Sequence, residues 1–134
     1  MTRRARIAVG GDPSAVASVR HRVVAQVEAW GIQLGDEQKE AIKLVASELI
    51  TNAVVHAGGV ATVGLHLDDE RLILVVHDRN PEPPRRQVTA DDDEGGRGLV
   101  LVGFLAERNG WEPTGNGKRV WAEFQARPAE SPAA

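Results

Sequence analysis

The apolar residues in the first part of the chain recur at helical spacing. Over residues 16–30 they lie three or four positions apart, and the pattern stops at Gly31. Asp12 and Pro13 precede it and suit a helix start. An Asp side chain accepts hydrogen bonds from free amides, and Pro fits the first helical position. The spacing predicts a first helix that begins at this pair and ends before Gly31.

A second helical pattern opens at Asp36. Its apolar positions follow the spacing of one buried face, and they are Ile42, Val45, Leu49 and Ala53. The adjacent glycines Gly58 and Gly59 are a natural C-terminal cap. We therefore predict a second helix from Asp36 to this glycine pair, buried along one side.

The next positions alternate with the period of two that is typical of strands. Residues 61–67 place apolar side chains on one face, whereas residues 72–76 are apolar on both faces, as expected of a central strand covered on both sides. The acidic turn of residues 68–71 between them predicts an antiparallel hairpin that ends at His77 and Asp78. Residues 3–9 alternate loosely and predict a first edge strand.

The rest of the chain predicts a long loop, a third helix and two more strands. Residues 79–98 carry prolines, glycines and an acidic run at 91–94, and a loop of this length in a compact domain is usually functional or disordered. Residues 99–108 have a helical pattern that stops at Asn109 and Gly110, and Trp111 begins a short strand. A turn at residues 114–117 and the alternation of residues 120–124 predict the closing strand.

Composition narrows the class of protein. The 134 residues are enough for one hydrophobic core, and we expect a single domain over residues 1–127 with a disordered tail at 128–134. A net charge of −3 without a long basic block disfavours direct nucleic-acid binding. The absence of cysteine excludes disulfides and thiolate metal sites. No apolar run reaches the length of a signal peptide or a membrane span, so we expect a cytoplasmic protein that does not contact membranes.

Three groups of residues are candidates for chemistry, and the first lies on the second helix. Glu48, Asn52 and His56 are spaced by four residues, which places them on one side of the helix beside its apolar stripe. Asn offers a hard oxygen to Mg²⁺, and Glu can orient or deprotonate a nucleophile. The alternative is a solvated helix flank with a hydrogen bond between residues four apart. A zinc site is disfavoured, because Asn is a poor zinc ligand and no further His or Cys clusters nearby.

The second candidate is Asp78, at the end of the apolar strand. A buried carboxylate there can accept a hydrogen bond from an exocyclic amine such as that of adenine. The alternative is an Asp that only starts a turn in the sequence DRNP, residues 78–81.

The third candidate is the glycine-rich stretch GGRGL, residues 95–99, which runs into the predicted third helix. Free amides at such a helix start favour anions, and glycine lets phosphates approach the backbone. Arg97 can add charge-assisted hydrogen bonds. The stretch matches neither the Walker A sequence nor a dinucleotide-binding finger, so an ordinary turn is the alternative.

Taken in order, these stretches resemble the GHKL ATPases, specifically the small histidine-kinase-like ATPase domains of the anti-sigma-factor serine kinase group. Residues 46–57 (ASELITNAVVHA) resemble the N box, residues 96–102 (GRGLVLV) the G2 box, and residues 117–124 (GKRVWAEF) the closing strand of that family. The resemblance spans about residues 5–125. It implies an α+β fold, a two-layer α/β sandwich of the Bergerat ATP-binding type. The implied sheet is mixed and mostly antiparallel, with about three helices on one face.

The resemblance also implies roles for individual residues. Glu48 would be the general base, Asn52 the Mg²⁺ ligand and Asp78 the partner of the adenine amino group. His56 would lie near the phosphates, and the loop of residues 80–95, which begins with the cofactor-binding residue Asn80, would be the ATP lid. The residues that would bind the phosphate end are Gly96, Arg97, Gly98 and Leu99.

The function implied by the resemblance is an ATP-dependent protein serine/threonine kinase. Its substrate would be a STAS-type anti-sigma-factor antagonist, and the domain would also sequester a sigma factor and form a homodimer. The alternative is a regulatory module that acts through protein contacts only, although retention of Glu48 and Asn52 argues against it. The ATPase half of a two-component sensor kinase fits poorly, because we find no dimerisation helix with a phosphoacceptor His.

One segment departs from the family pattern. The G1 box often has the form Asp-x-Gly-x-Gly, whereas residues 78–82 here are DRNPE. Loss of both glycines is expected to stiffen the start of the lid. The acidic run at 91–94 would repel a nearby triphosphate, so we expect it to face solvent or a partner.

Overall fold

The computed structural model describes residues 2–10, 14–56, 60–84 and 102–127, with residue 56 described for its backbone alone. A short helical turn at residues 102–105 precedes the fourth strand. The other elements in chain order are β1 (Thr2–Val9), α1 (Ser14–Ala29), α2 (Asp36–Thr51), a π-helical turn (Asn52–His56), β2 (Ala61–Asp68), β3 (Arg71–Asp78), β4 (Arg108–Thr114) and β5 (Gly117–Gln125).

The five strands form one sheet in the order β1-β2-β3-β5-β4. Every neighbouring pair is antiparallel, and β3 is the central strand. The β2–β3 hairpin turns at Asp69 and Glu70, and Asp69 takes up the left-handed φ of 54° that tight turns require. The predicted α+β class, edge strand and hairpin are confirmed. The described sheet is antiparallel throughout, where a mixed sheet was expected.

Helices α1 and α2 pack together and cover one face of this sheet. α1 ends at Ala29, and Gly31 just after it has a φ of 89°, which lets the chain leave the helix as predicted. α2 begins at Asp36, and the acidic side chains of Asp36 and Glu37 favour its N-terminal dipole. The largest fully buried side chains between helices and sheet include Val23, Val27, Ile42, Val45, Leu49, Ile50, Leu65, Leu72 and Leu74. Each contributes about 1.5–3 kcal/mol by burial, so α2 is held firmly against β3.

The described helices are also short. Within the ranges given above, none is long and apolar enough to cross a membrane.

The third helix and the strand after it differ from the prediction. In the described part of residues 99–108, only 102–105 are helical, and β4 already begins at Arg108 instead of Trp111. The reason is cross-strand pairing. The Glu107 N–H donates to the Glu123 carbonyl at 2.9 Å, and Arg108 pairs with the same residue of β5. These ladder bonds to a distant strand outweigh the local helical pattern.

The opposite face of the sheet has no helix over it in the described part of the chain. Ile73 and Val75 of β3 point to this face, and neither belongs to the core cluster. The indole of Trp121 lies over Gly110, so close that a Cβ at residue 110 would be 2.7 Å from Cζ2. Residues 72–76 were predicted to be covered on both sides, and Val75 on this second face is indeed buried, although no described helix lies over it. Neighbouring side chains of the sheet cover the second side.

Two histidines lie on this helix-free face among arginines. Burial lowers the pKa of His66, and the charges of Arg4 and Arg6 on β1 lower it further. Burial is also the main cause that lowers the pKa of His77. The charges that act on the pKa of His77 are those of Arg119, Arg6 and His66, which lower it, and that of Asp78, which raises it. Both imidazoles therefore have a lower pKa in the folded chain than in the unfolded chain.

We expect the free energy of unfolding to fall as the pH decreases from about 7.5 to about 5.5. An unfolded histidine takes up a proton near its ordinary pKa of about 6.5, whereas folded His66 and His77 take it up only at lower pH, so acid favours the unfolded state. Urea denaturation at both pH values measures the slope. The double variant His66→Gln/His77→Gln should have a flatter slope, and an unchanged slope in this variant would contradict the prediction.

Candidate functional site

The carboxylate of Asp78 ends the central strand and forms a buried ion pair. Lys118 of β5 lies opposite Asp78 in the strand register. Its Nζ is 3.0 Å from Oδ2 and 3.2 Å from Oδ1 of Asp78, and the side chains of Lys118 and Asp78 are 5% and 3% exposed. By strand alternation both point to the helix-covered face, like Leu74 and Val76. The ammonium compensates the carboxylate for its lost hydration.

The backbone after β3 is tied to the same pair. The N–H of Asn80 donates to Oδ1 of Asp78 at 2.8 Å, and the N–H of Glu82 donates to Oδ1 of Asn80 at 3.0 Å. Lys118 Nζ also donates to the Asn80 carbonyl at 3.1 Å. The first two bonds are consecutive Asx turns. Asp78 therefore both starts a turn and is buried at a strand end, and the side-chain oxygen of Asn80 is used by the turn.

Gly117 lets β5 begin against the backbone of Asp78. A Cβ at residue 117 would lie 1.8 Å from the Asp78 carbonyl oxygen and 2.7 Å from the Cα of Arg79. Any other residue at this position must therefore displace the end of β3. Residues 78–82 (DRNPE) contain no glycine. The glycine that lets the two backbones lie close together at this point belongs to β5.

Gly117→Ala is expected to lower the free energy of unfolding by about 1–3 kcal/mol, because the added methyl overlaps the end of β3. The matched control is Gly115→Ala in the same turn, where an added Cβ would meet nothing within 4 Å. Urea denaturation of both variants measures the difference. Equal losses in the two variants would show that the close approach to Asp78 is not responsible.

Glu48 and Asn52 lie where α2 passes into the π-helical turn. The Asn52 N–H contacts the carbonyls of both Glu48 and Leu49, and Asn52 keeps helical angles of φ −58° and ψ −44°. The four-residue spacing therefore places Glu48 and Asn52 on one side of the helix, as predicted. Both are half-buried. Single π-helical turns are frequent at functional sites.

The backbone of His56 ends the π-helical turn, in which hydrogen bonds span five residues instead of four. Ala53 and Val54 in this turn are both buried. Of the predicted row, the structure describes the side chains of Glu48 and Asn52, and the side chain of His56 lies outside the described part.

Packing connects the two parts of the site. α2 and the π-helical turn both contact β3, the strand that ends at Asp78. Of the predicted lid, the structure describes residues 80–84. The other predicted site residues lie outside the described ranges, and they are Gly96, Arg97, Gly98 and Leu99. The acidic run at 91–94 and the glycine pair predicted to end the second helix also lie outside them.

The model of the histidine kinase-like ATPase domain matches residues 10–124 of the chain. The chain belongs to this family. Its match includes the elements that carry Glu48, Asn52, Asp78 and Lys118, so the site described above is part of the histidine kinase-like ATPase domain. Membership supports ATP binding and confirms the resemblance to the histidine kinase-like ATPase domains.

No protein of curated function matches the sequence.

Two residues of this histidine kinase-like ATPase domain were missed from the sequence. Gly117 and Lys118 had been assigned only to a turn and a closing strand. A usable signal was present, because Lys118 is in phase with Val120, Ala122 and Phe124 on the buried face of β5. A lysine in register with a buried stripe requires a carboxylate partner, and Asp78 is that partner.

The described side chains that could bind a metal ion are few. No group of three or more His, Cys, Asp or Glu side chains in the described ranges could hold a metal ion. Mg²⁺ sites in ATPases need no such group, because substrate phosphates and water supply most of the ligands. One oxygen from Asn52 is compatible with that kind of site.

Proposed function

We propose that this domain is an ATP-dependent protein serine/threonine kinase that phosphorylates a STAS-type anti-sigma-factor antagonist and sequesters a sigma factor in the cytoplasm. The observation that carries the proposal is the retention of Glu48 and Asn52, side by side at the end of α2. α2 packs on the strand that ends at buried Asp78. The family match supports the ATPase domain. The kinase role is supported by the resemblance of residues 46–57 and 96–102 to the anti-sigma-factor group.

Each described residue has a distinct role in the proposed mechanism. Asp78 accepts a hydrogen bond from the adenine amino group. Asn52 would hold Mg²⁺ through its hard carboxamide oxygen, and the ion would neutralise charge on the phosphates. Glu48 takes the proton from the serine or threonine hydroxyl of the protein substrate, and the hydroxyl oxygen forms a bond to the γ-phosphorus of ATP. The bond from that phosphorus to the β–γ bridging oxygen breaks, and ADP leaves.

The phosphate end of the proposed site is formed by the glycine-rich stretch. Backbone amides around Gly96 and Gly98 and the guanidinium of Arg97 bind the triphosphate, with Leu99 in the helix that follows and His56 nearby. These assignments rest on the resemblance of residues 96–102 to the G2 box.

The test of the kinase role is a transfer assay. The protein is incubated with Mg-ATP labelled on the γ-phosphate and with a panel of STAS proteins from the same genome. Label is expected on a serine or threonine of one panel member. A parallel incubation with sigma factors from that genome, followed by size-exclusion chromatography, tests sequestration. The same chromatography with light scattering tests the proposed homodimer.

A second candidate is a regulatory module that acts through protein contacts only. The observation in its favour is the G1 segment, where DRNPE lacks both glycines and two Asx turns together with Lys118 hold Asn80 in place. ATP binding without transfer to any STAS protein would favour this candidate. Failure to bind ATP at all would contradict the proposed kinase.

A further inference from the structure

The hydrogen bonds around Asp78 leave one acceptor position open. A carboxylate has about four acceptor positions, two on each oxygen. Oδ1 of Asp78 accepts from the Asn80 N–H at 2.8 Å and from Lys118 Nζ at 3.2 Å, which fills both of its positions. Oδ2 accepts from Lys118 Nζ at 3.0 Å, which leaves one.

The ammonium of Lys118 has no hydrogen left to offer. It has three hydrogens, and three acceptors lie within 3.2 Å of Nζ, which are the two oxygens of Asp78 and the carbonyl oxygen of Asn80. The pair is 3–5% exposed, so water does not supply further partners easily. A ligand that reaches this pair can therefore donate one hydrogen bond to it and can receive none.

Adenine and guanine differ in the hydrogen-bond donors and acceptors that they would present to Asp78 and Lys118. Adenine carries a 6-amino donor, and one acceptor oxygen satisfies it. Guanine carries the acceptor O6 at the same place, together with ring N1–H and 2-amino donors side by side. A carboxylate with both oxygens open can accept these two donors together, whereas a carboxylate with a single open position cannot.

We propose that Lys118 determines the base specificity of the site. Together with the Asn80 N–H it fills three of the four acceptor positions of Asp78, so that the carboxylate accepts one ligand donor and selects adenine over guanine. This inference rests on the proposed binding of a nucleotide base at Asp78. It gives Lys118 a role beyond neutralising a buried charge. A purely structural lysine affects the two bases equally, whereas a specificity-determining lysine changes their ratio.

The decisive variant is Lys118→Met, which keeps the side-chain length and removes every donor. Positions on both carboxylate oxygens then become open, and guanine can bind through two donors. We expect the ratio of the GTP Kd to the ATP Kd to fall about tenfold or more, partly through tighter GTP binding. Isothermal titration with ATP and GTP on the full chain measures both constants.

Two further variants make the test independent of stability. Lys118→Gln keeps one amide donor, so the ratio should fall less than in Lys118→Met, and this variant decides the question if Lys118→Met does not fold. Arg119→Met is the matched control, because Arg119 is the next residue of β5, points to the helix-free face and pairs with Glu112. Its ratio should equal that of the wild type.

The outcomes separate this inference from the proposed function. An unchanged ratio in both Lys118 variants overturns the inference and leaves ATP binding intact. Equal binding of ATP and GTP by the wild type does the same. A wild type that binds neither nucleotide overturns the proposed function and the inference together.

Discussion

Replacement of Asp78 by alanine is expected to lower the free energy of unfolding by about 3–5 kcal/mol and to abolish ATP binding. The large loss follows from the partner that remains. Lys118 would keep its charge in the core with two of its three hydrogen-bond acceptors removed. Urea denaturation followed by tryptophan fluorescence measures the stability, and titration with ATP measures the binding.

The double variant Asp78→Ala/Lys118→Met distinguishes this cause from general damage to the strand. It removes both charges, so most of the lost stability should return, while ATP binding should stay absent. Glu112→Ala is the matched surface control, because it breaks an ion pair with Arg119 whose side chains are both about half exposed. That change should cost less than about 1 kcal/mol. An Asp78→Ala loss no larger than the Glu112→Ala loss would contradict the prediction.

Glu48→Gln is expected to lower the rate of phosphoryl transfer by about 10²–10⁴-fold with little change in the Kd for ATP. Glutamine has nearly the same shape as glutamate, but it cannot take the proton from the attacking hydroxyl. The proposed base function would be lost while the helix keeps its packing. Single-turnover transfer from labelled Mg-ATP to the proposed STAS substrate measures the rate, and titration measures the Kd.

A control for this variant lies on the same helix. Glu40 is on an exposed part of α2 and forms an ion pair with Lys43. Glu40→Gln should leave both the rate and the Kd unchanged. If Glu48→Gln retains the transfer rate to within about tenfold, Glu48 is not the general base.

Elements with a continuous buried face were predictable from the sequence. α1, α2 and the β2–β3 hairpin each bury a stripe whose spacing is local, so periodicity located them and turn residues such as Gly31 located their ends. β4 was placed too late because its start depends on pairing with Glu123, a residue of another strand. The local pattern of apolar and polar residues carries no information about pairing with a distant strand.

In the candidate site, too, features that depend on local spacing were predictable and features that depend on distant contacts were not. Glu48 and Asn52 were predictable because one helix carries both. The π-helical turn was not, since nothing in the local spacing of apolar residues distinguishes it from a continued α-helix. The pair of Asp78 and Lys118 joins residues 40 positions apart in the sequence, so only the sheet register brings them together.

The pairing of β3 with β5 also has a consequence for the order in which the domain becomes competent. β5 supplies Gly117 against the backbone of Asp78 and Lys118 against its carboxylate. During synthesis on the ribosome β3 emerges well before β5, and until β5 docks the carboxylate remains without its partner. Strand pairing over such a separation is slow compared with the closure of local hairpins. The surroundings of Asp78 are therefore expected to be complete only when the last strand has joined the sheet.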